Sequence, residues 1–407
     1  MTEKKIAVIG GGGKITTAVI LELLYADAET PYRFSLFGRT EQKMVNTQTL
    51  ASRFNAGNGR LEIAPTLEAV LEGAALVLYC ASYGLAPFEE YRAFGVQHGA
   101  YLMGIGERMT KLCPDAWLLV VTNPPDIPLA AVRLRFGLER VVGLCNASTF
   151  TQKVLAAFLD EDEEEVWPMD VGVNHELWYY DVLLREKSVL DSLKPLLLAQ
   201  YDPALIVDDF HEQFPEWREG FLANLAILRE TGFLHGPVGG CHRFRNLPKT
   251  RMSELMRRPN YADFERLLDP ALTREQILRG TRRCAAEFPV YIARIVRSIL
   301  RDEGARASAL VLNRGALPHY PEDAMVQLTC RFNADGIVRP VPELPEFIEA
   351  SLASRIRQNL LLARALAEQD ETYLKQAALV FPERVDFAEV LPPFPEDGNA
   401  EPWMSLN

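Results

Sequence analysis

Short apolar runs, each closed by polar or turn residues and followed by helical spacing, occupy the first part of the chain. They predict strands at Lys5 to Ile9, Arg33 to Phe37, Leu61 to Ala64, Ala75 to Cys80, Trp117 to Thr122 and Arg140 to Leu144. Nearly unbroken apolar strands alternating with amphipathic helices are what a parallel sheet requires when helices cover both of its faces. The expectation is an α/β fold with a Rossmann-like, doubly wound parallel sheet. Beyond about Asp170 the pattern changes to acidic helices, Pro breaks, a Gly-rich patch at Gly236 to Gly240 and a long helical stretch from Glu346 to Gln369. That half reads as a mixed α+β second domain packed on the first, so the division expected is 1–170 and 171–407. The acidic run Asp160 to Glu165 reads as a solvated helix end. The tail after Phe381, with Pro382, Pro392, Pro393 and Pro395, reads as an extended arm.

Composition narrows the class. With 407 residues and 48% hydrophobic content the chain fills a large core, which excludes a disordered or fibrous protein. A formal net charge of -12 argues against nucleic acid or an anionic membrane surface as partner, and means that any anionic substrate must meet a local basic pocket. The six cysteines are scattered without CxxC pairs, unlike a disulfide framework or a zinc ribbon, which points to a reducing compartment. The opening MTEKKIAVIGGGG has too short an apolar run for a signal-peptide core, and no other stretch reaches membrane-spanning length. A soluble cytoplasmic protein is expected.

Candidate chemistry begins at the first turn. Gly10, Gly11, Gly12 and Gly13 lie between the strand IAVI and the helical run TTAVILELL, where glycines let backbone amides approach a pyrophosphate at a helix N-terminus. Gly10 and Gly12 match the first two positions of the dinucleotide fingerprint, while Ile15 stands in the third. Lys14 belongs to the same candidate site, but Ile15 after it lacks the hydroxyl that a nucleotide-triphosphate loop needs for its metal. After the second strand, where an acidic residue ordinarily holds the adenosine ribose, the sequence reads Gly38-Arg39-Thr40. Arg39 and Thr40 either receive a 2'-phosphate, which makes NADP the cofactor instead of NAD, or Arg39 stacks on adenine or lies in solvent.

Three further segments stand out: Thr122-Asn123-Pro124 after the fifth strand, Gly143-Leu144-Cys145-Asn146 after the sixth, and Gly172-Val173-Asn174-His175. The first two fall where the carboxyl ends of parallel strands open onto a crevice, and the third is close enough in sequence to fold back there. A thiolate and an imidazole converging at that place, with positions left for substrate oxygens, suit a divalent transition ion such as Mn(II).

Taken as a set, IAVIGGGG, CPDAWLLVVTNPPD, VVGLCN, GVNHELWYYD, LNRGALPHYPEDAMVQLTCRFNADGIVRP and the helix containing Arg355 to Asn359 resemble glycoside hydrolase family 4. That family is related to the lactate and malate dehydrogenases, whose second domain the C-terminal half should then share. The resemblance implies that Cys145 and His175 bind Mn2+ or another divalent metal, and that Asn123 and Asn146 touch sugar hydroxyls and the metal shell. Asn123 also borders the cofactor, and Asn174 joins the substrate group. It further implies a glycosidase using NAD or NADP without consuming it: transient oxidation at C3, deprotonation at C2, 1,2-elimination of the aglycone, then addition of water and return of the hydride. A homodimer or homotetramer is the family precedent.

Two departures bear on substrate and base. Where relatives carry an arginine and a GQET-like stretch for a sugar 6-phosphate, this chain reads Ser82-Tyr83-Gly84-Leu85-Ala86-Pro87-Phe88 and later Gly104-Ile105-Gly106. The C6 substituent therefore stays open among phosphate, carboxylate, sulfonate and none. Where relatives carry a tyrosine base, the counterpart is Gly240-Cys241-His242-Arg243-Phe244-Arg245, so His242 is a candidate base or a further metal neighbour, and Arg243 and Arg245 are candidate anion contacts. His319 and Tyr320 are further pocket candidates, whereas Tyr179 and Tyr180 read as strand residues with buried rings. Two alternatives are a dehydrogenase of a hydroxy acid or sugar acid, marked by net NADH release, and a non-catalytic cofactor-binding protein, marked by metal binding without turnover.

Overall fold

A computed structural model describes residues 3–26, 32–54, 60–81, 91–145, 147–199, 224–236, 264–284 and 288–380. The N-terminal strands are β1 (Lys4–Ile9), β2 (Tyr32–Phe37), β3 (Arg60–Ile63), β4 (Leu76–Tyr79), β5 (Trp117–Val120) and β6 (Val141–Gly143). They pair in parallel in the order β3-β2-β1-β4-β5-β6, the doubly wound arrangement expected. Each expected strand is present within a residue or two of its anticipated bounds.

The sheet does not stop at β6. Strands β7 (Val166–Val173), β8 (Glu176–Leu184), β9 (Lys187–Ser188), β10 (Leu234–Gly236), β11 (Arg306–Leu312), β12 (Met325–Asn333) and β13 (Gly336–Val338) extend it antiparallel. The path continues β6-β11-β12-β7-β8-β10, and β7 itself crosses position 170. One layer of strands thus carries both halves of the sequence.

Alternation along β1 shows how the two faces fill. Ile6 and Val8 enter one apolar cluster and Ala7 and Ile9 the other, as the period of two in a strand dictates. The first face is covered by α1 (Lys14–Ala26), α2 (Glu41–Ser52), α8 (Arg274–Cys284) and α9 (Phe288–Arg301). The second is covered by α4 (Tyr91–Leu112), α5 (Asp126–Phe136) and α11 (Thr372–Val380). The long helix α10 (Glu346–Glu368) places Ile348, Leu352 and Ile356 in the first cluster and Leu362, Ala363 and Leu366 in the second. It ends at Gln369, whose φ of 58° supplies the left-handed turn that stops a helix. Shorter helices are α3 (Leu67–Leu71), α6 (Ala147–Leu159) and α7 (Leu190–Ala199). C-terminal helices are keyed to N-terminal ones: Arg282 on α8 grips Glu22 on α1 with bonds of 2.6 and 2.8 Å.

The acidic run after α6 forms a short 3-10 turn, Glu163–Glu165, with exposed carboxylates. Tyr179 is buried on β8, as expected, and Tyr180 is half-buried. The tail after Phe381 and most of the Gly-rich patch lie outside the described residues. No helix among the described residues is long and apolar enough to cross a membrane.

Two histidines lie within this framework. Burial pushes His98 on α4 down to about 4 and His235 on β10 down to about 3. His235 faces Asn224, with Nδ1 3.0 Å from Oδ1. Both rings are neutral in the folded protein at pH 7, whereas unfolded histidine protonates below about 6.5. Acid therefore favours the unfolded chain, and stability falls from about pH 6.5 downward. Between pH 7 and pH 5 each ring should cost about 2 kcal/mol. Denaturant titrations at the two pH values should show this loss, and in a His98→Leu variant the pH-dependent part should shrink by one ring's share; an unchanged dependence would count against the assignment.

Candidate active site

The glycine turn is shaped by three close approaches. Gly10 has φ +87° and donates its amide to Phe37 O at 2.8 Å, tying the exit of β1 to the exit of β2. A Cβ on Gly10 would lie 2.4 Å from Cys80 O, one on Gly11 2.8 Å from Leu36 Cβ, and one on Gly12 2.5 Å from Lys43 Cβ. Side chains are excluded here because β2, β4 and α2 all press on the same loop. Ile15, in the third fingerprint position, is half-buried against the first apolar cluster.

Three buried hydroxyls that sequence reasoning missed hold the turn. Thr16 Oγ1 lies 2.9 Å from both Gly10 O and Gly13 O, and Thr17 Oγ1 donates to Gly13 O at 2.9 Å. Thr47 on α2 meets Thr17 at 2.7 Å and Gly11 O at 3.2 Å. The only sequence signal for Thr16 and Thr17 was their place just beyond the glycines, after Lys14 and Ile15. The first amide bond into α1 runs from Thr17 N to Gly13 O, so the amides just before it form the positive end of the helix. That arrangement suits a pyrophosphate. Lys14 opens α1, and Arg39 and Thr40 are exposed beyond β2.

Across the same edge of the sheet, Thr122 donates to Ala81 O at 2.7 Å and joins the exits of β5 and β4. Asn123 comes next, before a cis peptide bond to Pro124. Its side-chain Oδ1 is buried and accepts no hydrogen bond among the described residues. Such an acceptor costs free energy unless a ligand or water meets it.

Cys145, just past β6 and 2% exposed, has its Sγ 3.3 Å from His175 Nε2. His175 occupies the tight turn between β7 and β8, with φ +63°, a conformation uncommon for a residue with a side chain. Gly172 permits that turn, since a Cβ there would lie 2.1 Å from Glu176 O. The donor separation tests the metal reading. Nitrogen and sulfur ligands at about 2.1 and 2.3 Å from one ion, at angles of about 90–109°, lie roughly 3.1–3.6 Å apart. The observed pair falls inside that window. Among the described residues no larger group of His, Cys, Asp or Glu gathers around an ion site. Burial pushes the thiol of Cys113 up to about 11 and also raises that of Cys330, so both remain neutral core residues.

Helix α10 braces this group from behind. Arg355 pairs with Glu176, the residue after His175, at 2.8 Å, and Asn359 one turn later donates to Asp126 Oδ2 at 2.7 Å, just past the Asn123 loop. Asn174 is buried beside them in sequence. On β7, buried Asp170 accepts from Thr329 at 2.6 Å and from Ser308, which also receives Gln327 Nε2 at 3.1 Å. The hydroxyl of Tyr291 on α9 donates to Ser308 O; burial first, then the neighbouring Asp170 and Cys145, raises its pKa and holds it protonated. His319 is not brought into the group: its side chain is 73% exposed, 3.8 Å from Glu349. Tyr320 donates to Glu349 O at 2.6 Å. Asn146, His242, Arg243 and Arg245 lie outside the described residues.

A doubly wound sheet with a glycine turn at β1 and a thiol–imidazole pair past β6 defines a dinucleotide-binding α/β protein with a candidate metal centre. Two family models identify it further: the family 4 glycosyl hydrolase model matches residues 91–161 and the family 4 glycosyl hydrolase C-terminal domain model residues 171–383. The chain belongs to the family 4 glycosyl hydrolases. Among curated relatives, a probable 6-phospho-beta-glucosidase of Bacillus subtilis is 26% identical over 69% of this chain and 62% of its own length, so the chain spans under two thirds of that protein. The maltose-6'-phosphate glucosidase of the same organism is 22% identical over 99% of this chain and 97% of its length. A solved 6-phospho-alpha-glucosidase from gut microorganisms, in complex with NAD and Mn2+, superposes with TM-score 0.74 over 96% of both chains at 17% identity.

Two substitutions probe the geometry. Gly12→Ala should force α2 from the turn, costing about 1–3 kcal/mol in thermal or denaturant unfolding; a variant as stable as the parent would mean the contact relaxes freely. Glu176→Ala, which removes the partner of a buried guanidinium, should cost about 3 kcal/mol, and a neutral result would show that Arg355 is held by other groups.

Proposed function

We propose that this family 4 protein is a glycosidase acting on a small sugar glycoside with an anionic substituent, using a nicotinamide dinucleotide on the glycine turn and a divalent metal at Cys145 and His175. The observation that carries the reading is the 3.3 Å approach of Cys145 Sγ to His175 Nε2 past the carboxyl end of β6. When bound, the two cofactors supply a reversible hydride acceptor and a Lewis acid, which together make the C2 proton of a C3-oxidised sugar acidic and allow elimination at C1. The names of the relatives, a 6-phospho-beta-glucosidase and a maltose-6'-phosphate glucosidase, support an anionic sugar.

The chain's own groups divide the remaining work. The positive end of α1 and the amides of Gly10 to Gly13 seat the pyrophosphate. Asn123 Oδ1, buried and lacking a donor among the described residues, accepts from a sugar or ribose hydroxyl. Cys145 ligates as thiolate, so metal uptake releases a proton and weakens as pH falls. Arg355, through Glu176, orients the turn that aims His175. Asn146 and Asn174 serve the sugar hydroxyls, His242 removes the C2 proton, and Arg243 meets the anionic group.

The test is a panel of nitrophenyl glycosides, neutral and phosphorylated at C6, with Mn(II) and dinucleotide in D2O. Cofactor-dependent nitrophenol release with deuterium entering C2 is expected, and Cys145→Ala should lower it by about 100-fold or more together with Mn(II) affinity. Net NADH accumulation without nitrophenol would replace the glycosidase by a dehydrogenase.

A further inference from the structure

Four rings form one ladder where β8, β10 and the start of α10 meet. Phe233, just before β10, lies stacked on Phe347, the second residue of α10, with centroids 5.6 Å apart and planes within 8°. Phe347 meets Trp178 on β8 edge-on at 5.4 Å, and Trp178 meets His235 on β10 edge-on at 4.6 Å. Stacked and edge-to-face contacts are the arrangements that aromatic rings prefer, so each ring holds the next in place. Burial falls along the ladder: His235 and Trp178 are buried, Phe233 is half-buried, and Phe347 is 46% exposed. A flat apolar surface is thereby held rigidly and yet left open to solvent.

The elements that carry this ladder also carry the candidate metal centre. Glu176 and Trp178 are two residues apart on β8 and so share one face of the strand. Helix α10 takes hold of both: Arg355 pairs with Glu176, while Phe347, eight residues or about 12 Å earlier on the helix, meets Trp178. Trp178 stands three residues past His175, about 10 Å along the strand. In the other direction α10 reaches Asp126 through Asn359, just past the Asn123 loop. The exposed ring therefore lies beyond the metal pair, on the side away from the dinucleotide turn. A sugar whose C3 faces the dinucleotide directs C1, two carbons round the ring, and the group bonded to it towards that side.

We propose that Phe347, backed by Phe233 and held by Trp178, is a platform for the leaving group of the glycoside. It stacks on a flat apolar ring face, which an aryl group or the C–H face of a second sugar supplies, and it selects glycosides that offer one. The inference rests on the glycosidase reading and adds to it the residue that discriminates among leaving groups.

Two measurements on the intact protein test it: steady-state kinetics on the nitrophenyl glycoside, methyl glycoside and disaccharide of one sugar, and tryptophan-fluorescence titration of the same compounds into metal-free protein, which reads binding without turnover. Phe347→Ala should raise KM for the nitrophenyl glycoside about tenfold with kcat within about twofold, and weaken its binding by a similar factor. The methyl glycoside should stay within about twofold in both measurements. Phe347→Tyr, which keeps the flat ring, should restore the parent values, and Phe347→Leu, apolar but not flat, should not. Phe347 is exposed, so these variants leave the core intact, and the thermal midpoint of each checks folding. A disaccharide loss matching the nitrophenyl one assigns the platform to a second sugar, and a loss confined to the nitrophenyl compound assigns it to an aryl group. No loss, or an equal loss for nitrophenyl and methyl glycosides, overturns the platform and leaves the glycosidase reading standing. Aryl-selective binding that Phe347→Ala abolishes, without turnover of any glycoside, keeps the ring site and overturns the glycosidase reading; failure of every compound to bind or react overturns both.

Discussion

The candidate metal centre depends on a close approach between two strands from opposite halves of the sequence. β6 meets β11 through the single register pair Gly143 and Leu310. A Cβ on Gly143 would sit 2.9 Å from Pro125 Cβ and 3.0 Å from Leu310 Cβ, so a side chain would push apart both the seam and the loop after Asn123. Through that seam β11, then β12, then β7 are added to the sheet in order. Interiors packed to crystal density transmit a displacement instead of absorbing it. Shifting β11 therefore shifts the turn that bears His175 relative to Cys145, and the thiol–imidazole contact is a consequence of strand packing as much as of the two side chains.

Helix α10 answers a second constraint. Loops at strand exits carry the chemistry, yet loops have few contacts of their own. Arg355 and Asn359 share one face of the helix at i and i+4, and each takes hold of a different loop, one through Glu176 and the other through Asp126. Both acidic partners are largely buried, with side chains that are paired, which is the condition under which a charge is tolerated inside a protein. The helix is anchored on both faces of the sheet, so the brace is as rigid as the core.

The parallel half of the fold was legible because its strands are buried on both sides and read as apolar runs at regular intervals. The antiparallel extension was not: besides pairing with each other, β11 joins β6 and β12 joins β7, strands more than a hundred residues away, and no local period records such a partner. The same holds at the site. Cys145 and His175 stood out through their resemblance to a known family, with each residue alone also compatible with a core role. Asp126, Asp170, Glu176 and Thr47 carry no such signal, because their importance lies in partners distant in sequence, such as Asn359 for Asp126 or Thr329 for Asp170. Thr16 and Thr17 follow the glycines after only Lys14 and Ile15 and were open to being read as the hydroxyls that such a turn requires. His319 was a further pocket candidate in the sequence but is exposed in the structure, and burial is the property that composition cannot supply.

Spacing across the sheet ties the two candidate sites into one. The glycine turn comes after β1 and Cys145 after β6, and the strands between run β1-β4-β5-β6. Three steps of about 4.8 Å place these exits roughly 14 Å apart. That span takes a flat heterocycle and one sugar ring side by side, with reacting atoms within about 3–3.5 Å of each other. Asn123 leaves β5, inside the span, with its acceptor buried there. Because one sheet carries every member of the group, their separation is set by hydrogen-bonded strand pairs and not by the docking of two independent bodies. The mechanism proposed above would need that rigidity: a hydride would leave a sugar carbon and return to it while Cys145 and His175 kept a metal, and with it the same ring, in place.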